Sequence, residues 1–361
     1  MTQSPEPSVP GTSRVWLRTT LRWIAVGYPI ALLILLAAFR FVGERWWVTT
    51  VGLYLPRLPF ALPLVPLIAA ILWVGPRRLL WTQLVAVALL LVLLGLRVTW
   101  PPSSTPGGFH LRVLTCNINS GSFGLPLILE SLRAAHPDVI LLQEVDPKDY
   151  DQLRAGVPGY SIHESGQFWM ATRFPIEEVA EPPTMTQMGF TRSFKFVRYR
   201  VTTPAGPLTI YNIHPISPRD GLREVRGNGF RQQILRGDLF NLRARTVVAE
   251  NTKLRLAQVE RLAADARQAQ GWVVMAGDTN LPDLSWAFGR WLGDFRDGFA
   301  EAGSGFGYTF PSPGFPWMRI DRIMAGQHLR FLTFRTLLDP ISDHRALVAD
   351  LEMPAPLAQA R

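Results

Sequence analysis

The sequence Val273-Val-Met-Ala-Gly-Asp-Thr-Asn280 is an apolar run that ends abruptly in a carboxylate and an amide. A short apolar run that is bounded by glycine predicts a buried β-strand. A strand that stops at polar residues can present their side chains from a rigid edge of a sheet, where sites are commonly built in α/β proteins. The stretch therefore predicts one edge of a functional site, and similar stretches recur along the chain.

Five further segments combine a predicted strand with polar residues. The predicted strands cover 111–117, 139–143, 196–201, 208–213, 272–276, 320–323 and 346–351, and the predicted helices cover about 125–136 and 241–270. The polar residues in question are Asn117, Glu144, His214, Asp321, Asp343 and His344. We expect these side chains at the carboxyl ends of strands, facing one cleft. The mixture of strands and helices predicts an α/β sandwich.

The residue types in this set suit hydrolysis at phosphorus. Carboxylate and amide oxygens are the ligands that Mg²⁺ prefers. A histidine and a carboxylate can accept and donate protons, and amide and imidazole donors can neutralise the charge that grows on phosphoryl oxygens. The set therefore predicts a metal-assisted phosphoester hydrolase, with purely structural polar residues as the alternative.

Six short motifs carry a resemblance to a known superfamily. They are Thr-Cys-Asn-Ile (115–118), Leu-Gln-Glu-Val (142–145), Asn-Ile-His-Pro (212–215), Gly-Asp-Thr-Asn (277–280), Arg-Ile-Asp-Arg (319–322) and Ser-Asp-His-Arg (342–345). In this order and at this spacing, residues 111–352 resemble the endonuclease/exonuclease/phosphatase superfamily. The resemblance implies a DNase-I-like four-layer α/β sandwich. Because no motif residue is substituted, it also implies an active enzyme.

The same resemblance implies a metal site. Glu144 resembles the principal metal ligand of the superfamily, with Asn117 beside the metal or its phosphate. Asp343 resembles the other carboxylate on the metal side. The implied ion is Mg²⁺, with Mn²⁺ as the alternative.

Catalytic roles for five residues follow from the resemblance. His344, oriented by Asp321, resembles the histidine that contacts the scissile phosphate. Asp278 resembles the residue that positions or deprotonates the attacking water, and Asn280 resembles the one that holds a phosphate oxygen. His214 resembles a donor to the phosphate or to the leaving group, with a structural role as its alternative.

Three uncharged runs precede this domain. They cover 23–39, 58–74 and 79–96, and arginines flank them. Each run approaches the roughly 20 residues that cross a hydrocarbon core. Buried core helices and a cleaved signal peptide are the alternatives, but three runs with short arginine-bearing loops between them favour membrane spans. Gly75-Pro76 begins a tight turn, which predicts a hairpin of the second and third spans.

These patterns divide the chain into five parts. We expect a disordered N-terminal tail (1–20), an all-α three-helix transmembrane domain (21–99), a linker (100–110), the catalytic domain (111–353) and a C-terminal tail (354–361). Cys116 is the single cysteine, so neither an intrachain disulfide nor a cysteine-based metal cluster can form.

The net charge of +9 is distributed unevenly. Residues 1–100 hold nine arginines against two acidic residues, a net of +7, so only +2 remains for the rest of the chain. A long basic groove for nucleic acid is therefore disfavoured. With the N-terminus inside, five arginines lie on the inner side and four on the outer, and this slight bias places the large domain outside the cytoplasm.

The layout of three spans and one hydrolase domain resembles bacterial membrane proteins linked to teicoplanin resistance. That resemblance implies dephosphorylation of a polyprenyl pyrophosphate such as undecaprenyl pyrophosphate, at the cell membrane and outside the cytoplasm. The expected partners are the lipid bilayer and a phosphorylated, lipid-linked substrate. The oligomeric state is not predicted.

Residues 216–245 carry seven arginines against three acidic residues, with apolar residues between them. This pattern is typical of a segment that contacts anionic lipid headgroups, and a solvated cap is the alternative. Three other functions stay open for the chain: a membrane-tethered endonuclease, a sphingomyelinase-like phospholipid phosphodiesterase, and a vestigial membrane-anchored binding protein.

Overall fold

The computed structural model describes residues 11–100, 108–181, 184–187, 190–193, 195–223 and 242–354. An N-terminal helical unit (residues 11–100) precedes an α/β domain (residues 108–354). Residues 1–10 and most of the linker, of the arginine-rich segment and of the C-terminal tail lie outside the described residues. Residues 11–20, which were expected in a disordered tail, form the beginning of the first helix instead.

The helices of the described residues are α1 (Gly11–Ala37), α2 (Trp47–Leu53), α3 (Leu64–Val74), α4 (Leu80–Leu94), α5 (Leu125–Ala135), α6 (Tyr150–Gly156), α7 (Arg219–Leu222), α8 (Leu242–Gln268) and α9 (Gly298–Ala302). The strands are β1 (Phe109–Asn117), β2 (Val139–Gln143), β3 (Ser161–Ser165), β4 (Phe168–Thr172), β5 (Ile176–Ala180), β6 (Thr184–Gln187), β7 (Phe190–Ser193), β8 (Phe196–Thr203), β9 (Gly206–Ile213), β10 (Trp272–Asp278), β11 (Arg296–Asp297), β12 (Asp321–Ala325), β13 (Arg330–Thr336) and β14 (Leu347–Met353).

Two six-stranded mixed sheets form the α/β domain. Their strand orders are β13-β14-β1-β2-β4-β3 and β11-β12-β10-β9-β8-β5, and β6 pairs with β7 in a separate hairpin. Each sheet contains one parallel pair, β1 with β2 and β9 with β10. An antiparallel strand lies beside each pair, β14 next to β1 and β12 next to β10. The carboxyl ends of the parallel strands therefore share an edge with the beginnings of β12 and β14.

The two sheets pack face to face, and helices cover their outer faces. Because alternate residues of a strand face opposite sides, each central strand serves two apolar layers. In β10, Val274 and Ala276 face the core between the sheets, whereas Val273 and Met275 pack beneath α8. In β1, Leu114 and its neighbours on that face pack beneath α5 and α6. The four layers confirm the predicted DNase-I-like α/β sandwich.

The structure extends four predicted strands by two residues each, and the predicted helix 241–270 ends at Gln268. The extended strands are those predicted at 111–117, 196–201, 208–213 and 272–276. α5 ends one residue earlier than predicted, and His136 adopts the left-handed conformation that closes many helices (φ +47°). The predicted strand 320–323 begins instead at Asp321, and the predicted strand 346–351 begins at Leu347.

The N-terminal helical unit is a bundle in which α3 runs antiparallel to α1 and α4. Its helices contact one another through polar groups as well as apolar ones. The Tyr28 hydroxyl donates to the Phe60 carbonyl (2.7 Å), and Arg18 Nε donates to the Val74 carbonyl (3.0 Å). These contacts show that α3 runs antiparallel to α1. The Gln83 amide donates to the Ala25 carbonyl (3.0 Å), and the ends of α1 and α4 both approach the α/β domain.

Two helical segments, Val15–Arg45 and Arg77–Leu94, are long and apolar enough to cross a membrane. The predicted second span is not one straight helix, since a 3₁₀ turn at Leu58–Ala61 precedes α3. The helix α2 and the helical segment Leu58–Val74 meet at an angle of 87°. The two count as a third crossing only if they form one broken span. The bend lies between Leu53 and Leu58, and Pro56 in this stretch lacks the N–H that a helix interior needs.

The N-terminal helical unit is docked on the α/β domain. The Tyr308 hydroxyl donates to the Leu94 carbonyl (2.6 Å), and the Ala287 amide donates to Glu44 Oε2 (3.2 Å). Arg97 pairs with Gly305 in an antiparallel bridge. An apolar cluster spans the junction and includes Leu53, Tyr54, Leu90, Leu93, Met318 and Ile320. Residues 40–57, which separate the first two predicted spans, thus form part of the contact surface.

Candidate active site

All eight predicted site residues lie at the shared edge of the two sheets. Asn117 ends β1, Glu144 follows β2, His214 follows β9, and Asp278 ends β10. The expectation that the polar residues lie at the carboxyl ends of strands is wrong for β12 and β14. Asp321 begins β12, and the Asp343-His344 pair precedes β14. Because β12 and β14 are antiparallel to their neighbours, their beginnings reach the same edge, and Asp278 lies directly opposite Asp321 in the ladder.

Gly277 permits the close approach of β9 and β10 below the site. It adopts φ +143°, and a Cβ at this position would lie 2.1 Å from the Ile213 carbonyl oxygen. A side chain would therefore push apart the two strands that carry His214 and Asp278.

Two site residues hold a backbone conformation that L-residues rarely adopt. Glu144 has φ +52° and Asn280 has φ +51°. Such residues cluster at functional sites, where the surrounding structure holds them in place. At Asn280, the backbone N–H donates to Asp278 Oδ1 (2.8 Å), and the side-chain amide donates to the Pro215 carbonyl (2.9 Å). The amide nitrogen carries two N–H donors, so its second N–H remains for the predicted contact with a phosphate oxygen.

Asp278 lies at the centre of the cluster and is buried. Its Oδ2 atom is 3.5 Å from Asn117 Nδ2, 3.6 Å from His214 Nε2 and 3.8 Å from His344 Nε2. Burial, reinforced by the nearby charge of Asp321, raises the pKa of Asp278 to about 7. A carboxylate with such a pKa is suited to accept a proton near neutral pH.

His344 and Asp321 form a buried pair. His344 Nδ1 lies 2.9 Å from Asp321 Oδ2 and 3.1 Å from Oδ1, which fixes the plane of the imidazole. Burial alone would lower the pKa of His344, but the charges of Asp321 and Asp278 outweigh it and raise the pKa to about 9. The protonated ring then has Nε2 available as a donor on the side of Asp278.

His214 has the opposite electrostatic character. Burial and the positive charge of His344 lower the pKa of His214 to about 3, so its ring is neutral at physiological pH. Nδ1 lies 2.8 Å from the side-chain oxygen of Gln167, which holds the ring in place. Nε2 faces Glu144 Oε1 at 3.4 Å and Asp278 Oδ2 at 3.6 Å. This buried nitrogen has no hydrogen-bond partner among the described residues.

The donor set fits a hard divalent cation. Glu144, Asp278 and Asp321 bring three carboxylates into a small region, and the orphaned His214 nitrogen marks space between two of them. Among the described residues, Asp278, Asp321 and His344 offer ligand atoms within 4.8 Å of one another. Asn117 Nδ2 donates to Glu144 Oε1 (3.0 Å), so these two predicted ligands are adjacent. Repulsion among the carboxylates would be relieved by a cation.

Asp343 lies at the margin of this set. Its carboxylate accepts from the Ser342 hydroxyl (3.3 Å) and lies 3.6 Å from the guanidinium of Arg219. Its role on the metal side stays a prediction. Arg219 belongs to the arginine-rich segment and lines the same pocket as Glu144 and His344, so it adds a positive charge to the mouth of the site.

A buried polar network below the site was not anticipated from the sequence. The side-chain amide of Gln143 donates to Asn212 Oδ1 (2.7 Å), and Asn212 donates to the carbonyls of Leu142 (3.0 Å) and Trp169 (3.2 Å). These bonds join the two sheets directly beneath Glu144 and His214. Both amides belong to quoted motifs, but only the packing of the sheets reveals their pairing.

The fold and the arrangement of the site are typical of phosphoester hydrolases built on an α/β sandwich. The model of the Endonuclease/Exonuclease/phosphatase family matches residues 114–344, about two thirds of the chain, and the chain belongs to this family. It matches none of the curated proteins with which it was compared.

Several solved structures share the fold. An endonuclease/exonuclease/phosphatase family protein from Bacteroides thetaiotaomicron is 14% identical, with a TM-score of 0.52, over 68% of this chain and 99% of that one. A conserved protein of unknown function from Enterococcus faecalis is 15% identical, with a TM-score of 0.51, over 68% of this chain and 100% of that one. A mannosyl-6-phosphatase from Bacteroides thetaiotaomicron is 15% identical, with a TM-score of 0.50, over 67% and 99% of the two chains. At these identities the likeness concerns the fold.

Proposed function

We propose that this chain is a membrane-anchored, metal-dependent phosphohydrolase that acts on a lipid-linked phosphate or pyrophosphate. The proposed ion is Mg²⁺, with Mn²⁺ as the alternative. The proposed substrate is a polyprenyl pyrophosphate such as undecaprenyl pyrophosphate, at the extracytoplasmic face of the cell membrane. The resemblance to membrane proteins linked to teicoplanin resistance supports this substrate.

The observation that carries the proposal is the position of the site against the N-terminal helical unit. A cavity of about 70 Å³ is lined by Glu144, Asp278, Asn280 and His344, and also by Tyr54 of the helical unit. A cavity of this size suits a phosphoryl group, so the rest of a substrate would lie outside it. The outer surface of the helical unit exposes large apolar side chains, with Trp73 88% and Trp81 71% exposed. Contiguous exposed apolar surface of this kind is typical of contact with lipid.

In the proposed reaction the site residues have separate roles. Glu144 and Asn117 would hold the cation, with Asp343 on the same side, and the bound ion would neutralise charge on the phosphoryl oxygens. Asp278 Oδ2 accepts the proton of the attacking water. The water oxygen bonds to the terminal phosphorus as the bridging P–O bond breaks, and the products are polyprenyl phosphate and inorganic phosphate. His344 Nε2 donates to a phosphoryl oxygen, and Asp321 fixes the ring that does so.

Purified full-length protein in detergent is expected to release phosphate from undecaprenyl pyrophosphate in the presence of Mg²⁺. EDTA should lower the rate by at least about 100-fold, since loss of a charge-stabilising group typically costs this much. Mg²⁺ or Mn²⁺ should restore the rate. Plasmid DNA and sphingomyelin serve as parallel substrates. Cleavage of one of them, without phosphate release from the polyprenyl substrate, would favour the nuclease or phosphodiesterase alternative. No metal-dependent turnover of any phosphate ester would favour a vestigial binding protein.

A reporter fused to the C-terminus is expected to be active only outside the cytoplasm. In the structure, α1 and α4 run toward the α/β domain and α3 runs away from it. Three crossings would therefore separate the N-terminus from the α/β domain, and the arginine bias places the N-terminus inside. A fusion to alkaline phosphatase, which is active outside the cytoplasm, is compared with a fusion to green fluorescent protein, which fluoresces inside it. Fluorescence without phosphatase activity would exclude an extracytoplasmic substrate.

A further inference from the structure

Tyr54 of the N-terminal helical unit contacts the catalytic machinery directly. It follows α2, and 1% of its surface is exposed. Its hydroxyl donates to the backbone carbonyl of Asn280 at 2.8 Å, across a sequence separation of 226 residues. Tyr54 therefore supplies a hydrogen bond to the Gly277–Asn280 turn, the segment that carries Asp278.

Further contacts hold the Tyr54 ring and the backbone around it. The guanidinium of Arg255, a buried residue of α8, lies 5.5 Å from the centre of the phenol ring. The Trp317 indole donates to the Tyr54 carbonyl (3.4 Å). Arg57 donates to the carbonyls of Leu53 (3.4 Å) and Leu93 (3.0 Å), which ties this segment to the end of α4. The hydroxyl is thus presented to the turn from a fixed position.

The geometry of the turn determines where the Asp278 carboxylate points. The backbone N–H of Asn280 donates to Asp278 Oδ1, and Asn280 keeps its left-handed conformation while its carbonyl is bound by Tyr54. A buried carbonyl that loses its donor is costly, so the turn would shift to find another partner. Even a small displacement of a group that handles the attacking water lowers the rate of the chemical step.

We propose that Tyr54 is a positioning residue for the reaction, and that the N-terminal helical unit completes the active site through it. The helical unit is then part of the catalytic architecture as well as an anchor. This inference rests on the proposed phosphohydrolase function, because its effect is exerted on Asp278.

The test compares Tyr54→Phe with Tyr308→Phe in the full-length protein. Both substitutions remove one tyrosine hydroxyl that joins the helical unit to the α/β domain, but the Tyr308 hydroxyl binds Leu94 and not the Gly277–Asn280 turn. We expect Tyr54→Phe to lower kcat about tenfold with KM unchanged, as loss of a group that orients a reacting residue does. Tyr308→Phe should keep the wild-type kcat. Thermal unfolding midpoints of the two variants should agree within a few degrees.

Three results would overturn the proposal. The first is a wild-type kcat in Tyr54→Phe, whether or not KM changes. The second is an equal loss of kcat in Tyr308→Phe. The third is a Tyr54→Phe protein that does not fold. The first measurement in the series is wild-type turnover of undecaprenyl pyrophosphate with Mg²⁺. Absence of any wild-type phosphoesterase activity contradicts the proposed function, whereas wild-type activity with an unaffected Tyr54→Phe variant contradicts only the role of Tyr54.

Discussion

Replacement of Asp278 by asparagine is expected to lower kcat for phosphate release about 1000-fold, while KM changes little. The substitution keeps the size of the side chain and the acceptor for the Asn280 amide, but it removes the carboxylate from the centre of the site. The group that accepts the proton of the attacking water is then lost, and general base catalysis contributes about 100- to 10,000-fold. Steady-state kinetics on the polyprenyl substrate measure the effect.

Asp151→Asn provides the matched control for Asp278→Asn. Asp151 lies in α6 with 95% of its side chain exposed, so the same chemical change there should leave kcat at the wild-type value. Circular dichroism of both variants checks that the fold is intact. If a folded Asp278→Asn protein turned over substrate at the wild-type rate, Asp278 would have no catalytic role.

Asp297→Asn is expected to destabilise the α/β domain by about 3 kcal/mol. The Asp297 carboxylate accepts from Arg319 (2.8 and 3.0 Å) and from Arg322 (2.8 Å), and all three residues are buried. Asparagine can still accept from the Phe299 amide at the start of α9, but the substitution removes the charge and one of the two acceptor oxygens. Two buried guanidiniums would then share Asp283 alone, and breaking a buried ion pair from one side costs about 3–5 kcal/mol. Thermal unfolding in detergent measures the change.

The acid stability of the protein provides a second readout of the Asp297 cluster. Burial alone would raise the pKa of Asp297, but the charges of Arg319 and Arg322 lower it to about 2. Because this folded value lies below the ordinary value of 3.8, the stabilisation is complete above about pH 4 and is lost as the pH falls toward 2. Asp297→Asn should abolish this contribution.

Asp294→Asn is the control for the Asp297 cluster. Asp294 pairs with Arg267 on the surface, and 71% of its side chain is exposed. The substitution should lower the free energy of unfolding by less than about 0.5 kcal/mol. Equal unfolding midpoints for Asp297→Asn and Asp294→Asn would show that the buried cluster contributes nothing beyond a surface pair.

Much of the α/β domain could be predicted because its signals are local. The strand at 272–278 is apolar along its length and stops at a carboxylate, and the helix at 125–135 alternates apolar and polar residues with a helical period. The positions of Asp321 and His344 relative to their strands could not be predicted, because strand direction depends on pairing with distant neighbours. Their presence at the same edge follows from the antiparallel pairing of β12 and β14.

The sequence by itself determined the family, the sandwich fold and the apolar helices that precede it, because motif order, strand composition and long uncharged runs are properties of neighbouring residues. The tertiary structure alone decided which groups act on one another. It showed the network of Gln143 and Asn212 under the site, the sharp bend before the predicted second span, and the hydrogen bond from Tyr54 to Asn280. Such contacts join residues dozens to hundreds of positions apart, and their energies depend on burial and distance, which no local pattern encodes.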